Sequence, residues 1–402
     1  MRRALIVVAL LLFVTACGSA PATVQPTGTP SVWSAPLTLA QTPQSDAPAL
    51  VSNNGGLVAA WIGSDSRGVH QDARQLNGSG QLTDVITLPL PPTHPYGQRL
   101  FPADNGNTHL LWLDADSGGQ TTLYEALLTP DLTVARGPVA VSSGLALNFS
   151  AVPDGAGGLW VAWSGGQLSE LSVYTRHIDD EGRPLLEANT VASNADHPAL
   201  VVTNRGDLWL FWLQNGQLMR EALGPSTTSP AEALTSILSL ASGDRLTDFR
   251  AALDATSAYA FWDITRADGT NEAWLTAGSL SASAWGQPQR LSIKVDPTAQ
   301  VDTGFKLGSI PAASLGGDTA LRWVEPLTDQ YNSLAAVVES DAGLGIITLQ
   351  GGDLEGYTLA APNVKLIGAP TLVLNVSGNF AIAWAAPGDN NTANLQLIQT
   401  QK

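Results

Sequence analysis

The chain has 402 residues, of which 44% are hydrophobic and 13% are charged, and its formal net charge is −16. This length and apolar content allow a large buried core, and 39 glycines and 25 prolines favour a turn-rich β architecture over a helical one. The negative charge excludes a general attraction to nucleic acid or anionic lipid, so we expect no nucleic-acid partner.

The N-terminus has a pattern typical of a secretory signal. Two arginines precede eleven apolar residues, 4–14, a stretch too short to span a bilayer in the mature protein. The segment Val14-Thr15-Ala16-Cys17 resembles the lipobox of bacterial lipoproteins, and Cys17 is the only cysteine. The resemblance implies removal of residues 1–16 and diacylation of Cys17. The alternative is an ordinary signal peptide with a chance cysteine.

Residues 17–31 are predicted to be the lipidated cysteine and a flexible linker, because the linker is small, polar and contains proline. Two acyl chains provide stable anchoring. We therefore expect a monomer held on the bacterial cell membrane by its lipid, facing the extracytoplasmic side, with residues 32–402 folded.

A tryptophan motif repeats along the rest of the chain. Each copy has a turn, an apolar run, a tryptophan and a second turn, as in "GGLWVAWSGG" at 157–166. Repetition at intervals of roughly 50–60 residues is typical of a propeller or a solenoid. The aligned tryptophans are Trp61, Trp112, Trp163, Trp212, Trp262, Trp323 and Trp384.

Each unit contains four short predicted strands separated by turn residues, without the amphipathic segments of a helical solenoid. Such units resemble the blades of β-propellers of the sialidase-like and WD40-like kind. The resemblance implies an all-β fold, a seven-bladed β-propeller of four-stranded antiparallel blades over residues 32–402. The motif strand is apolar on both faces, which favours burial of its tryptophan between blades over stacking on a ligand.

The two ends of the chain are predicted to meet in one blade. The last unit has three strands, and residues 32–41 resemble the predicted fourth strand of the fifth unit, 284–293. An N-terminal strand that completes the last blade would cover an exposed sheet edge and close the ring.

Loops between blades, and loops after each second strand, share one face of a propeller. Acidic residues follow several motif tryptophans on this face, among them Asp263 and Glu325. We expect a ligand to bind here. The candidate ligand-binding residues are Arg99, His197, Arg250, Lys306 and Arg322.

Arg322 stands where the other copies have an apolar residue. A charge there needs a partner or access to solvent, and Glu325 and Asp318 are the expected partners. Arg322 is either an anion site in the channel or part of a structural ion pair. The longer tryptophan spacings on both sides of Trp323 predict insertions, for which 296–304 and 351–359 are the candidates.

Asp114 and Asp116 form a D-x-D pair that supplies part of a calcium loop, and a solvated hairpin turn is the alternative. We expect no cofactor apart from this structural calcium. The sequence contains no nucleotide-binding or nucleophile-elbow motif.

Two functions remain open. A binding or scaffold module for protein or glycan ligands requires no missing motif, although the argument is an analogy at the level of the fold. The alternative is a sialidase-like or other glycoside-acting enzyme, in which Arg99, Arg250 and Lys306 would meet a carboxylate. The sialidase Asp-box is absent from the sequence, so we assign no catalytic residue.

Overall fold

The computed structural model describes residues 32–43, 46–53, 56–224, 227–228, 230–236 and 240–401. Residues Val32–Lys402 form one compact unit. The predicted signal, Cys17 and the linker lie outside the described residues. Among the residues described, we find no helix with the length and apolar content needed to cross a membrane.

The described residues form 32 strands and two short 3-10 helices, Asp104–Gly106 and Asp389–Asn391. The N-terminal strand is β1 (Leu37–Thr42). The first blade has β2 (Ala49–Asn53), β3 (Gly56–Asp65), β4 (Gly68–Asn77) and β5 (Ile86–Thr87). The second has β6 (Pro95–Pro102), β7 (Thr108–Ala115), β8 (Thr121–Leu128) and β9 (Val134–Ala140). The third has β10 (Ala146–Pro153), β11 (Leu159–Gln167), β12 (Glu170–Ile178) and β13 (Pro184–Ser193).

The fourth blade has β14 (Ala195–Val202), β15 (Leu208–Gln214), β16 (Gln217–Gly224), β17 (Thr227–Thr228) and β18 (Glu232–Ser236). The fifth has β19 (Arg245–Leu253), β20 (Ala258–Thr265), β21 (Asn271–Gly278) and β22 (Gln289–Arg290). A seven-stranded sheet follows, with β23 (Ser292–Asp302), β24 (Ser309–Leu315), β25 (Thr319–Ala320), β26 (Arg322–Thr328), β27 (Leu334–Ser340), β28 (Gly343–Gln350) and β29 (Asp353–Pro362). The closing blade has β30 (Thr371–Leu374), β31 (Phe380–Pro387) and β32 (Ala393–Gln399), together with β1.

The sheets are arranged as a β-propeller around a central channel. The innermost strands of the first five blades are β2, β6, β10, β14 and β19, and each contacts the next. Strand β19 then contacts β26 of the seven-stranded sheet, β26 contacts β30 of the closing blade, and β30 contacts β2. The ring is therefore closed by sheet-to-sheet packing.

The predicted all-β propeller of four-stranded antiparallel blades is confirmed, but the predicted number of seven such blades is wrong. Within the described residues there are six regular blades and one sheet of seven strands. The extra strands come from the segment β23 to β25, where β24 pairs with β29 through Ala312 and Gly356. From the sequence, 296–304 of this segment were interpreted as an insertion and 316–320 as the start of the motif copy around Trp323.

Burial of the motif tryptophans is confirmed for six of the seven. Each of the six lies on the second strand of a regular blade and is at most 2% exposed; they are Trp61, Trp112, Trp163, Trp212, Trp262 and Trp384. Trp323 was misaligned, because it lies on the innermost strand β26 and is only partly buried. The second strand of that sheet is β27, which contains no tryptophan.

The N-terminal strand completes the last blade, as predicted. Strand β1 pairs antiparallel with β32, with Leu37 opposite Leu397 and Thr42 opposite Ala393. Trp33 forms a further antiparallel bridge with Thr400. The strand therefore covers the outer edge of the closing blade and joins the two ends of the chain.

Candidate functional site

The innermost strands run in the same direction along the channel. One hydrogen bond joins the starts of two neighbouring strands: the hydroxyl of Thr371, the first residue of β30, donates to the carbonyl of Pro48, just before β2 (2.8 Å). Another joins the ends of two neighbouring strands: the hydroxyl of Thr328, the last residue of β26, donates to the carbonyl of Leu253, the last residue of β19 (2.7 Å). We call the end of the channel where these strands begin the upper mouth, and the end where they finish the lower mouth.

A cavity of about 850 Å³ occupies the lower part of the channel. Its lining comes from the second halves of the innermost strands, such as 99–102 and 250–253, and from the following turns at 329–331 and 375–376. The described loops before β6 and β14 contribute none of its lining residues. The cavity therefore opens at the lower mouth, whereas the sequence favoured loops on the opposite face.

A cluster of ion pairs crosses the channel at the inner end of the cavity. Arg99 Nη1 on β6 lies 3.2 Å from Glu325 Oε1 on β26, and Arg250 Nε on β19 lies 3.0 Å from Glu325 Oε2. Arg250 also pairs with Asp248. Strands β6 and β26 belong to sheets that are not neighbours in the ring, so the Arg99–Glu325 pair spans the channel. We call Arg99, Asp248, Arg250 and Glu325 the channel cluster.

The charges of the channel cluster compensate each other. Burial lowers the pKa of Arg250, but the nearby carboxylates of Asp248 and Glu325 outweigh burial and raise this pKa above its ordinary value. Burial raises the pKa of Asp248, and the charges of Arg250 and Arg99 oppose the increase. Two guanidinium groups face two carboxyl groups, so the cluster offers hydrogen-bond donors and acceptors without a surplus of positive charge.

Asp263 on β20 holds the start of β26 beside the channel cluster. Its carboxylate accepts hydrogen bonds from the backbone N–H groups of Trp323 (3.0 Å) and Val324 (3.3 Å). Trp323 has a φ of 55°, an uncommon and strained conformation for a bulky side chain. Burial is the largest cause that raises the pKa of Asp263, and the charge of Asp248 raises it further, to about 8. The two hydrogen bonds from the backbone act in the opposite direction and lower this pKa.

The lower mouth has an apolar rim. Tyr331 is 76% exposed, Val376 is 70% exposed and Val202 is 37% exposed, and all three line the cavity. Isolated exposed apolar side chains are common, but a group of them around a cavity marks an interaction site. We call these three residues the lower rim.

Of the predicted ligand-binding residues, the structure brings together Arg99 and Arg250 in the channel cluster. Lys306 also lines the cavity, but it lies at the lower mouth. Its side chain packs beside Gly378 in the turn at 375–379, where a Cβ would lie 3.5 Å from the Cε of Lys306. The ring of the adjacent Phe305 is tilted by 49° against the ring of Phe380 in the closing blade, with the ring centroids 4.9 Å apart.

Arg322 lies outside the cavity lining and forms a structural ion pair. Its Nε is 3.4 Å from Glu339 Oε2 and its Nη2 is 3.0 Å from Asp341 Oδ1. The expected partners, Glu325 and Asp318, were wrong, because Glu325 pairs with the channel arginines instead. The partners were predicted wrongly because Trp323 was misaligned. Arg322 is the first residue of an innermost strand and lies opposite Glu339 on β27.

His197 and the D-x-D pair serve local structure. His197, at the upper end of β14, places its Nδ1 3.1 Å from the carboxylate of Asp196. The Asp114 carboxylate accepts the backbone N–H groups of residues 93 and 94, and Asp116 accepts those of residues 118 and 120. The two carboxylates therefore cap different turns. Across the described residues, the structure groups no three His, Cys, Asp or Glu side chains that could hold a metal ion.

Sequence reasoning missed the lower rim. Tyr331 and Val376 lie in the turns "DQYNS" (329–333) and "NVSGN" (375–379) that follow innermost strands. The available signal was a large apolar residue inside a polar turn. The ligand was predicted to bind on the opposite face, so these turns were not considered.

A second groove, of about 510 Å³, lies on the upper side between the second and third blades. Trp163 and Tyr174 contribute to its lining, and their rings stack at 5.6 Å. Leu168, in the turn after β11, is 76% exposed beside it. This turn provides an upper-side counterpart to the exposed residues of the lower rim.

No family model and no curated protein matches the chain. Among solved structures, the chain is similar to a polysaccharide lyase named Uly1, with a TM-score of 0.54 and 10% identity over 90% of both chains. It is also similar to a protein of unknown function from Dyadobacter fermentans, with a TM-score of 0.49 and 9% identity over 91% of this chain and 98% of that one. An α-L-arabinofuranosidase from Fusarium graminearum matches with a TM-score of 0.43 and 11% identity, over 77% of this chain and 93% of that one. The likeness to the lyase shows a shared propeller fold.

Proposed function

We propose that this protein is a lipid-anchored, extracytoplasmic binding protein whose ligand presents sugar hydroxyl groups to the channel cluster. The observation that carries the proposal is the convergence of Arg99, Arg250 and Glu325, from three sheets, at the inner end of an 850 Å³ cavity. A mostly apolar cavity with a few convergent polar groups is the usual form of a small-ligand site.

The compensated charges of the channel cluster favour a neutral, polyhydroxylated ligand over an anion. At the channel cluster an anionic ligand would need a cation without a carboxylate partner, but both arginines there are paired with carboxylates, and Lys306 lines the cavity at the lower mouth instead. A hydroxyl group both donates and accepts hydrogen bonds, so it can bind to a guanidinium and a carboxylate at once. The rings of Phe101 and Phe149 line the same cavity and offer apolar surface to the C–H faces of a sugar.

The test uses the full chain in mild detergent and isothermal titration calorimetry. The probes are neutral oligosaccharides of glucose, galactose, mannose and N-acetylglucosamine, the same sugars as lipid head groups, and uronic-acid oligosaccharides. We expect a neutral sugar to bind, and Arg99→Gln to weaken its affinity at least tenfold. Arg67→Gln, which removes an exposed ion pair with Asp65, is the matched control and should bind normally. Exclusive binding of anionic sugars, or no sugar binding, would overturn the proposal.

The lipid anchor has its own test. The resemblance of residues 14–17 to a lipobox supports acylation of Cys17. Bacteria fed a labelled fatty acid should incorporate the label into the native chain, and the Cys17→Ser chain should remain unlabelled. Equal labelling of both chains would overturn the anchor without affecting the proposed sugar site.

A glycoside-acting enzyme remains the second candidate, and one observation favours it. Asp263 has a pKa raised to about 8 and binds the backbone N–H groups of the two residues that precede Glu325. Glycosidases use a protonated carboxyl together with an ionised one. However, Asp263 is only 2% exposed and its carboxylate is bonded to backbone N–H groups. The samples from the calorimetry can be analysed for shorter sugars released from the oligosaccharides. Release by the native chain that is absent in Glu325→Gln would favour the enzyme.

A further inference from the structure

The described chain begins on the same side of the propeller as the lower mouth. Trp33 pairs with Thr400, and the Thr400 hydroxyl accepts the backbone N–H of Phe380, the first residue after the turn at 375–379. That turn contains Val376 of the lower rim. Trp33 also packs in one apolar cluster with Phe305 and Phe380. Residue 32 therefore lies on the same side of the propeller as the lower mouth.

The length of chain before this point limits the distance to the proposed anchor. Residues 18–31 number fourteen, and a chain of that length spans at most about 50 Å even when fully extended. An acylated Cys17 would therefore hold residue 32, on the lower side, within about 50 Å of the membrane. This step rests on the lipid anchor proposed above.

The lower rim has side chains that suit a membrane interface, although the carboxylate residue Asp329 lines the same cavity. The lower rim exposes a tyrosine and two valines around the mouth, and the lysine of residue 306 lies at the same mouth. Tyrosine has an apolar ring and a polar tip, which suits the boundary between head groups and acyl chains. A lysine beside it can meet lipid phosphate while its stem stays on apolar surface.

We propose that the lower rim docks on the bilayer surface, with Tyr331 and Val376 inserted among the lipid head groups. The apolar contacts drive docking, since the net charge of −16 opposes electrostatic attraction to anionic lipid. The cavity then opens towards the membrane. A sugar that reaches the channel cluster would be the head group of a membrane lipid.

The experiment uses single-cysteine labelling of the full chain in phosphatidylcholine vesicles. Cys17 is the only cysteine and would be blocked by its lipid, so a cysteine introduced elsewhere is the only free thiol. Val376→Cys and Tyr331→Cys report on the lower rim. Leu168→Cys is the matched control, because Leu168 is as exposed as Tyr331 but lies on the upper side. Each thiol carries a polarity-sensitive fluorophore.

We expect at least a twofold rise in emission at 331 and 376 in vesicles, with quenching by spin-labelled lipid, and no change at 168. Flotation of the vesicles is measured on the same samples. If the chain floats and all three positions behave alike, the docking is overturned while the anchor stands. If the chain does not float with the vesicles, the anchor and the docking are both overturned. The sugar-binding result is independent of either outcome.

Discussion

Arg99 and Glu325 form an ion pair of 3.2 Å across the central channel, although 226 residues separate them in the chain. Glu325 also holds Arg250 at 3.0 Å, whereas Arg250 has Asp248 as a second partner. The glutamate is therefore the common member of the channel cluster. Its removal leaves the two guanidinium groups of the cluster with one carboxylate, that of Asp248, which pairs with Arg250.

Glu325→Gln should destabilise the protein more than Arg99→Gln. We expect a loss of about 2 kcal/mol in the free energy of unfolding for Glu325→Gln, and about 1 kcal/mol or less for Arg99→Gln, because the side chains are partly hydrated. Urea unfolding of both variants measures the difference. Equal losses, or a larger loss at Arg99, would contradict the central place of Glu325.

The buried carboxyl of Asp263 should make stability depend on pH. Its pKa is raised from 3.8 to about 8, so the folded protein holds this proton more tightly than the unfolded chain does. The resulting stabilisation is complete below about pH 4 and is lost as the pH rises to about 8, with a slope of at most about 1.4 kcal/mol per pH unit.

Asp263→Asn provides the comparison, because asparagine has no proton to lose. We expect the stability advantage of the native chain over Asp263→Asn to shrink steadily between pH 5 and pH 8 in urea unfolding. An advantage that grows with pH would mean that the two backbone N–H bonds to Asp263 outweigh its burial.

Gly165 allows close approach of two strands in the third blade. A Cβ at Gly165 would lie 2.0 Å from the backbone oxygen of Leu145, so Gly165→Ala must displace the backbone. We expect a loss of about 2–4 kcal/mol. Gly144→Ala is the control, since a Cβ there meets no atom within 4 Å, and its effect should stay within about 0.5 kcal/mol. Thermal unfolding distinguishes the two variants, and similar melting temperatures would refute the packing at Gly165.

Closure of the ring should contribute strongly to stability. Leu39 on β1 is 2% exposed and packs in the cluster between the closing blade and the first blade. Leu39→Ala should cost about 2–4 kcal/mol in the free energy of unfolding. Val85→Ala, at a position that is 47% exposed, should change stability by less than about 0.5 kcal/mol. A small loss at Leu39 would show that the propeller is stable without its N-terminal strand.

The repeat could be read from the sequence where the local pattern and the tertiary environment agree. On the second strand of a blade, both faces pack against neighbouring sheets. Strands such as β11 and β15 are therefore apolar up to their buried tryptophan. The same signal failed at Trp323. The run around it is also apolar and ends in a turn, but it forms an innermost strand whose start is held by Asp263.

The candidate site was predicted in part for a related reason. Arg99 and Arg250 were named because the sequence placed them in loops between blades, near the starts of innermost strands. Their partner was assigned to Arg322 instead, since a sequence shows which charges exist but not which of them meet across a channel. The exposed Tyr331 and Val376 were missed, because single apolar residues in turns have no significance until the turns are placed around a common opening.

The sequence alone determined the all-β class, the repeated blade, the burial of six motif tryptophans and the pairing of the N-terminal strand with the last blade. These features depend on local patterns of apolar and turn residues, which act over a few residues at a time. Only the tertiary structure decided the six regular blades with one seven-stranded sheet, the ion pair between Arg99 and Glu325, and the lower mouth as the opening of the cavity. These features depend on contacts between distant segments, whose register and neighbours are set by packing of the whole ring.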